Sequence, residues 1–219
     1  FPEVPTYWLP NGVDLNFYDP SKIKDSDWRE KQGFRKDDLL FLYAGILGLA
    51  QGLEVILYAA DKLKQHQQIK FLIMGSGPEK DKLLILRDKL GLKNVFFLDA
   101  VTKSEMPGIL RVVDASVIPL RRLDLFLGAI PSKIFECLAM ELPVLLGVDG
   151  EARELFVKQG RCALYFEPED AGALANAVLT FSGDEHLREQ LGRQGRIYVN
   201  EKFNRETIAS AFYARIQSL

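Results

Sequence analysis

Residues 129–147 read AIPSKIFECLAMELPVLLG, and in this otherwise apolar run Lys133 and Glu136 place opposite charges three positions apart. Charge in such a run needs a partner. Pro131 suits the first position of a helix, which puts Ser132 and Lys133 in its first turn. A cation there opposes the helix dipole. The placement makes sense with an anion bound, because Lys133 and free backbone N–H groups would hold one phosphate together. Glu136 lies on the same face one turn deeper, where a carboxylate accepts hydrogen bonds from vicinal hydroxyls such as those of a ribose. A nucleoside diphosphate satisfies both charges. The same spacing also fits an ordinary surface ion pair.

Two glycine-bearing loops and a basic pair add to the candidates. YAGILGLAQGLE carries Gly45, Gly48 and Gly52, and MGSGPEKDK carries Gly75 and Gly77. Glycines at the start of a helix let N–H groups approach a phosphate, although each loop alone also reads as a tight turn. A dinucleotide fingerprint would want glycine where Lys80 stands. PLRRLDLFLGAIPSK supplies Arg121 and Arg122 shortly before Lys133. His66 and His186 sit in polar stretches and read as solvent-facing. Cys137 and Cys162 sit in apolar ones, without metal-ligand spacing, and read as reduced core residues of a cytosolic protein. No metal or other cofactor is expected.

The elements that must position these residues follow from hydrophobic period. Six solidly apolar runs read as strands covered on both faces: 39–44, 69–74, 94–98, 115–118, 143–146 and 163–166. Between them lie helical stripes, such as Leu53, Ile56, Leu57, Ala60 and Leu63, and Leu83, Leu86 and Leu90. Strand and helix in alternation predict an α/β fold with a doubly wound, Rossmann-like parallel sheet, whose ligands sit beyond the carboxyl ends of the strands. Asp170 is a good N-cap for a helix that closes near Gly183, and a helical tail follows to Leu219, with interruptions near Gly195 and Phe203.

At 219 residues and 47% hydrophobic, the chain has enough apolar material for a real core. A formal charge of −2 argues against a general nucleic-acid or anionic-membrane surface. No apolar run of about 18 residues is present, so no bilayer-spanning helix is expected. FPEVPTYWLPNGVD, rich in proline, reads as a linker arriving from a preceding domain.

PNGVD at 10–14, the glycine loop at 45–52, FLIMGSGP at 71–78, NVFFLDAV at 94–101 and PSKIFECLAMELPVLLGVDGEARELF together resemble the C-terminal half of a family 4 retaining glycosyltransferase. That family has the two-domain GT-B architecture. The loop pattern, with PSK before the helix and GVDGEA after it, is similar to a bacterial surface-polysaccharide branch that includes L-fucosamine and colanic-acid transferases.

The resemblance implies a linker over 1–22, a nucleotide-sugar-binding domain over 23–202 and a final helix over 203–219 that crosses back onto an N-terminal, acceptor-binding half. The stripe Ile208, Phe212, Ile216 and Leu219 should then be at least partly exposed in this chain. The implied partners are a UDP-sugar donor and a polysaccharide or lipid-linked acceptor. Nucleic acid is not among them. The implied location is cytoplasmic or, through the other half, peripheral to the inner membrane.

Glu136 matches the second glutamate of the family's Glu, seven residues, Glu motif; the first would fall on Gly128. The family's two phosphate-binding cations would fall on Ile46 and Gln51, so Lys133 with Arg121 or Arg122 is expected to replace them. The implied nucleotide-sugar site is Gly45, Gly48, Gly75, Gly77, Val101, Arg121, Ser132, Lys133, Glu136 and Glu154, with Lys133 and Glu136 catalytic. A sugar-nucleotide epimerase on the same architecture, or a sensing domain without catalysis, would use the same donor site.

Overall fold

The computed structural model describes residues 6–24 and 26–218. A short α1 (Trp28–Lys31) precedes β1 (Leu39–Ala44), α2 (Glu54–Lys62), β2 (Ile69–Met74), α3 (Lys80–Leu90), β3 (Val95–Leu98), α4 (Met106–Val112) and β4 (Ala115–Pro119). Then come α5 (Lys133–Ala139), β5 (Val144–Gly147), α6 (Glu151–Arg153), β6 (Ala163–Tyr165), α7 (Ala171–Gly183), α8 (Glu185–Lys202) and α9 (Arg205–Gln217). Each expected strand is present within a residue or so.

The strands pair in parallel in the order β3-β2-β1-β4-β5-β6. The winding direction reverses between β1 and β4. Those two strands pair only at Phe41 with Ala115 and Leu42 with Ser116, so their carboxyl ends part and open a crevice. Such a crevice is the binding position of this sheet type.

Side chains on β1 alternate between two cores, as the period of a strand requires. Leu40 and Leu42 join Ile109, Phe135, Leu138 and Val199 on one face. Phe41 and Tyr43 join Ile56, Phe71, Val178 and Phe181 on the other. In α5, Ile134, Phe135 and Leu138 are fully enclosed, each contributing about 1.5 to 3 kcal/mol. That anchorage fixes where the residues at its start can be.

Several expectations change here. The helix begins at Lys133 with Ser132 as its cap, so Pro131 lies outside it. Helix α8 runs through Gly195 without a break. A Cβ at Gly195 would stand 2.7 Å from Leu138 Cδ2, so the glycine lets α8 close onto α5. Next to it, Arg196 donates to the carbonyls of Ala139 and Tyr18, tying α8, the end of α5 and the lead-in segment together.

The described part of the lead-in is docked onto the domain. Val13 N–H donates to Phe203 O (2.9 Å) and Arg205 N–H donates to Val13 O (3.0 Å). Val13, Tyr18 and Phe203 are all buried in the α5 face of the core. The stripe of the tail is partly exposed, as expected: no described residue of α9 is buried, and Ile216 is 50% exposed. Leu219 and the first five residues lie outside the described residues.

The loops after β1 and β2 are laced backbone to backbone. Gly45 N–H donates to Met74 O (3.0 Å), Leu47 N–H to Ser76 O (2.8 Å) and Glu79 N–H to Leu47 O (3.0 Å). Gly75 has φ +138°, and a Cβ there would lie 1.9 Å from Gly45 O. Replacement of Gly75 by alanine should therefore cost roughly 2 to 4 kcal/mol, strain and overpacking combined. Urea denaturation checks this, and a change under about 0.5 kcal/mol would show that the loops tolerate a side chain.

Candidate functional site

Lys133 starts from α5, over one face of the sheet, yet its Nζ lies 4.0 Å from the ring centroid of Tyr43, whose side chain belongs to the other face. The lysine therefore crosses the crevice between β1 and β4. Tyr43 is held in place by its hydroxyl, which donates to Ile46 O (2.6 Å). A Cβ on Gly45 would come 2.6 Å from the ammonium, so the bare backbone of Gly45, at φ +147°, leaves room for the charge.

Lys133 is in no ion pair among the described residues. Burial lowers its pKa to about 8, against a weaker upward pull from Cys137 and Glu136. A half-buried cation stacked on an aromatic ring keeps part of its stabilisation and has capacity left for an anion. Glu136 is half-buried one turn further along α5. Its neighbour is Tyr18, whose pKa is pushed up by burial and by the Glu136 carboxylate.

A cavity of about 230 Å³ opens beside Gly45 at the carboxyl ends of β1, β2 and β3, lined by Ile46, Met74, Gly75, Val101 and Met106 among others. The expected residues Gly45, Gly75 and Val101 thus meet there. Gly77 abuts the Leu47 backbone in the same pair of loops, and Gly48 opens the short turn Leu49–Gln51 behind them. Ser132 is exposed, and its side chain makes no capping bond.

The arginines sit at the expected edge, but their guanidinium groups are occupied. Arg121 donates to Leu49 O (2.7 Å), to Glu169 (3.0 Å) and to Glu54 (2.5 Å). Arg122 pairs with Glu167 and with Asp149 (3.2 Å). One or the other is expected as a phosphate cation; here Arg121 braces the loop after β4 against α2 and the loop after β6, and Arg122 braces it against the loops after β5 and β6. Glu154 is bonded to Lys158 (2.8 Å) on its own π-helical segment, Glu154–Gln159. The contact with Lys158 lowers its pKa. Gly128 is exposed, with nothing within 4 Å of a would-be Cβ.

Tyr43 and Tyr18 are the members that the pattern of the sequence did not single out. Tyr43 could have been noticed as the aromatic residue next to the first glycine loop. Tyr18 carries no such signal, because it reaches Glu136 from the docked lead-in. The assembled parts are a cation without a carboxylate partner, exposed loop backbone, a carboxylate beside a phenol, and a small, mostly apolar cavity. They suit a phosphate, a vicinal diol and a planar ring.

Comparison with known proteins bears on family and fold. Residues 24–198 match the family model described as glycosyl transferases group 1. The chain is 26% identical over 189 residues to an uncharacterized glycosyltransferase of Methanocaldococcus jannaschii, covering 83% of this chain and 47% of that protein. It is 29% identical over 145 residues to a putative colanic acid biosynthesis glycosyl transferase, WcaI, of Escherichia coli, covering 64% of this chain and 34% of that protein. Among solved structures, Anabaena HepE in complex with UDP and glucose superposes with a TM-score of 0.81 at 22% identity, covering 96% of this chain and 56% of that one. At that identity the likeness is one of fold. The chain spans about half the length of the curated relatives it matches.

Lys133 gives the site a pH signature. Its folded-state pKa of about 8 lies below the usual 10.5, so between those values the unfolded chain binds more protons and stability rises with pH. Measured against Lys133→Met, wild-type stability should gain on the order of 1 to 3 kcal/mol from pH 7.5 to 10. Urea midpoints at the two pH values test it; parallel curves for the two proteins would contradict a half-buried ammonium.

Proposed function

The chain belongs to the glycosyl transferases group 1 family, and from that premise we propose that it is the donor-binding half of a retaining enzyme. The donor is a nucleotide diphosphate sugar, read as UDP-linked, and the acceptor is a polysaccharide or lipid-linked glycan held by the other half of the protein. The observation that carries this is the Lys133 ammonium, crossing the crevice beside Gly45 without an ion-pair partner among the described residues. A diphosphate supplies the missing negative charge.

In this reading the base enters the cavity by Val101 and Met106, and Glu136 accepts hydrogen bonds from the ribose hydroxyls. The backbone of the Gly45 and Gly75 loops lies along the diphosphate. As the bond between the sugar and the diphosphate breaks, charge grows on the leaving oxygen. Lys133 offsets that charge from a position already fixed by α5, which is catalysis by preorganised electrostatics and positioning. Arg121 and Arg122 act through the loops they brace. Glu154, held by Lys158 in the free chain, would serve the donor sugar.

The relative named for colanic acid biosynthesis supports an acceptor of the surface-polysaccharide class. Among the described residues no helix is long and apolar enough to cross a membrane, which fits a site facing the cytoplasm or the membrane surface. Because the acceptor site and the closure of two halves belong to a longer protein, the 219-residue chain should bind donor and transfer nothing.

Glu136→Ala removes the ribose contacts and should weaken UDP binding roughly ten- to hundred-fold, the equivalent of about 1.5 to 3 kcal/mol, at an unchanged melting temperature. Calorimetric titration of the chain with UDP checks this. Equal affinity in a folded variant would remove Glu136 from the nucleotide site.

A further inference from the structure

A second concentration of charge lies at the opposite edge of the sheet. Arg35 precedes β1, Lys64 and Lys70 flank the turn into β2, and Lys93 precedes β3. With Gln67 and Asn94 they line an open cavity of about 470 Å³. Among the described residues no carboxylate lines it. In a chain with formal charge −2, four cations around one hollow are a local reversal of sign.

Two of the four are neutralised from outside the cavity. Arg35 is paired with Asp38 (3.1 Å) and Asp37 (3.7 Å), and Lys64 with Asp61 (2.6 Å). Lys70 and Lys93 are in no ion pair among the described residues. Lys70 spends one donor on Gln67 O (2.7 Å) and Lys64 one on Leu90 O (2.6 Å); an ammonium has three. These backbone contacts hold both lysines at the rim.

Asn94 closes the wall from beneath. It is 7% exposed, its Nδ2 donates to Ala60 O (2.9 Å), and its Oδ1 has no partner among the described residues. An unpaired carbonyl oxygen costs about 1 to 3 kcal/mol, which a donor group or water brought in with a ligand would recover after a small side-chain shift.

We propose that this cavity is a second anion site, for the phosphate group of a phosphomonoester or of a phospholipid headgroup. Two uncompensated lysines match the two charges of a phosphomonoester. The hydroxyls such molecules carry would be the donors for Asn94. The site lies about 20 Å from the Lys133 crevice, the length of a six-residue strand, so the two bind independently.

The test is site-resolved and does not rely on donor binding. In ¹H–¹⁵N spectra of the 219-residue chain, glycerol 1-phosphate should shift the amides of Gly91, Lys93 and Asn94 saturably. The double variant Lys70→Gln, Lys93→Gln should weaken that response by about tenfold or more, with circular dichroism unchanged. In parallel, the chain should be sedimented with phosphatidylcholine vesicles, with and without phosphatidylglycerol. Saturable shifts lost in the variant support a soluble phosphomonoester. Variant-sensitive binding to the anionic vesicles alone supports the site with a lipid headgroup as its source. Binding that survives the double variant, or no response in either assay, overturns the proposal, whatever the behaviour of Lys133 toward UDP.

Discussion

A lysine ammonium held over the ring of Tyr43, with no carboxylate in ion-pair distance among the described residues, is the constraint on which the rest of the site depends. Such a charge is costly unless something fixes it and something binds it. Packing fixes it: Ile134, Phe135 and Leu138 seat α5 in the core, and Gly195 and Arg196 of α8 close on its far end. The lysine then extends over Gly45, where a side chain would collide with it. Gly75 and Gly77 are required by the close approach of backbone to backbone between the two loops, and Gly45 leaves room for the lysine.

The other charges near the crevice form a frame around that cation. Glu54, Glu169, Glu167 and Asp149 take up Arg121 and Arg122, so the loop after β4 is pinned to three neighbouring segments by four contacts. Partly exposed ion pairs contribute little stability one at a time. Here they join segments far apart in sequence, and their effect is geometric. In the proposed function the division of labour is one cation for a ligand and two for the architecture.

Much of this was legible in the sequence because it rests on local period. The six strands, the α2 stripe and the Asp170 cap all express rules that act within a few residues, and Asp170 does accept from the N–H groups of Gly172 and Ala173. What escaped depends on distant partners. The occupation of Arg121 by Glu54, 67 positions away, leaves no trace in spacing, and neither does the docking of Val13 onto Phe203. Gly195 was read as a break because glycine is a poor helix former; its reason is the surface of Leu138, which only the folded chain brings near. Lys133 and Glu136 stand out in the sequence because both are charges in an apolar run, while Tyr43 and Tyr18, which lie beside them, look like ordinary core residues.

The proposal reduces to one physical statement: a diphosphate completes the electrostatics of Lys133. The most direct measurement is the affinity of UDP and of uridine for the wild-type chain and for Lys133→Ala, by calorimetry at pH 7. The account predicts that the substitution weakens UDP by roughly 1.5 to 3 kcal/mol and leaves uridine nearly unchanged, since only UDP carries the diphosphate. Equal losses for the two ligands would mean that Lys133 acts by shaping the crevice, and the central claim would be wrong.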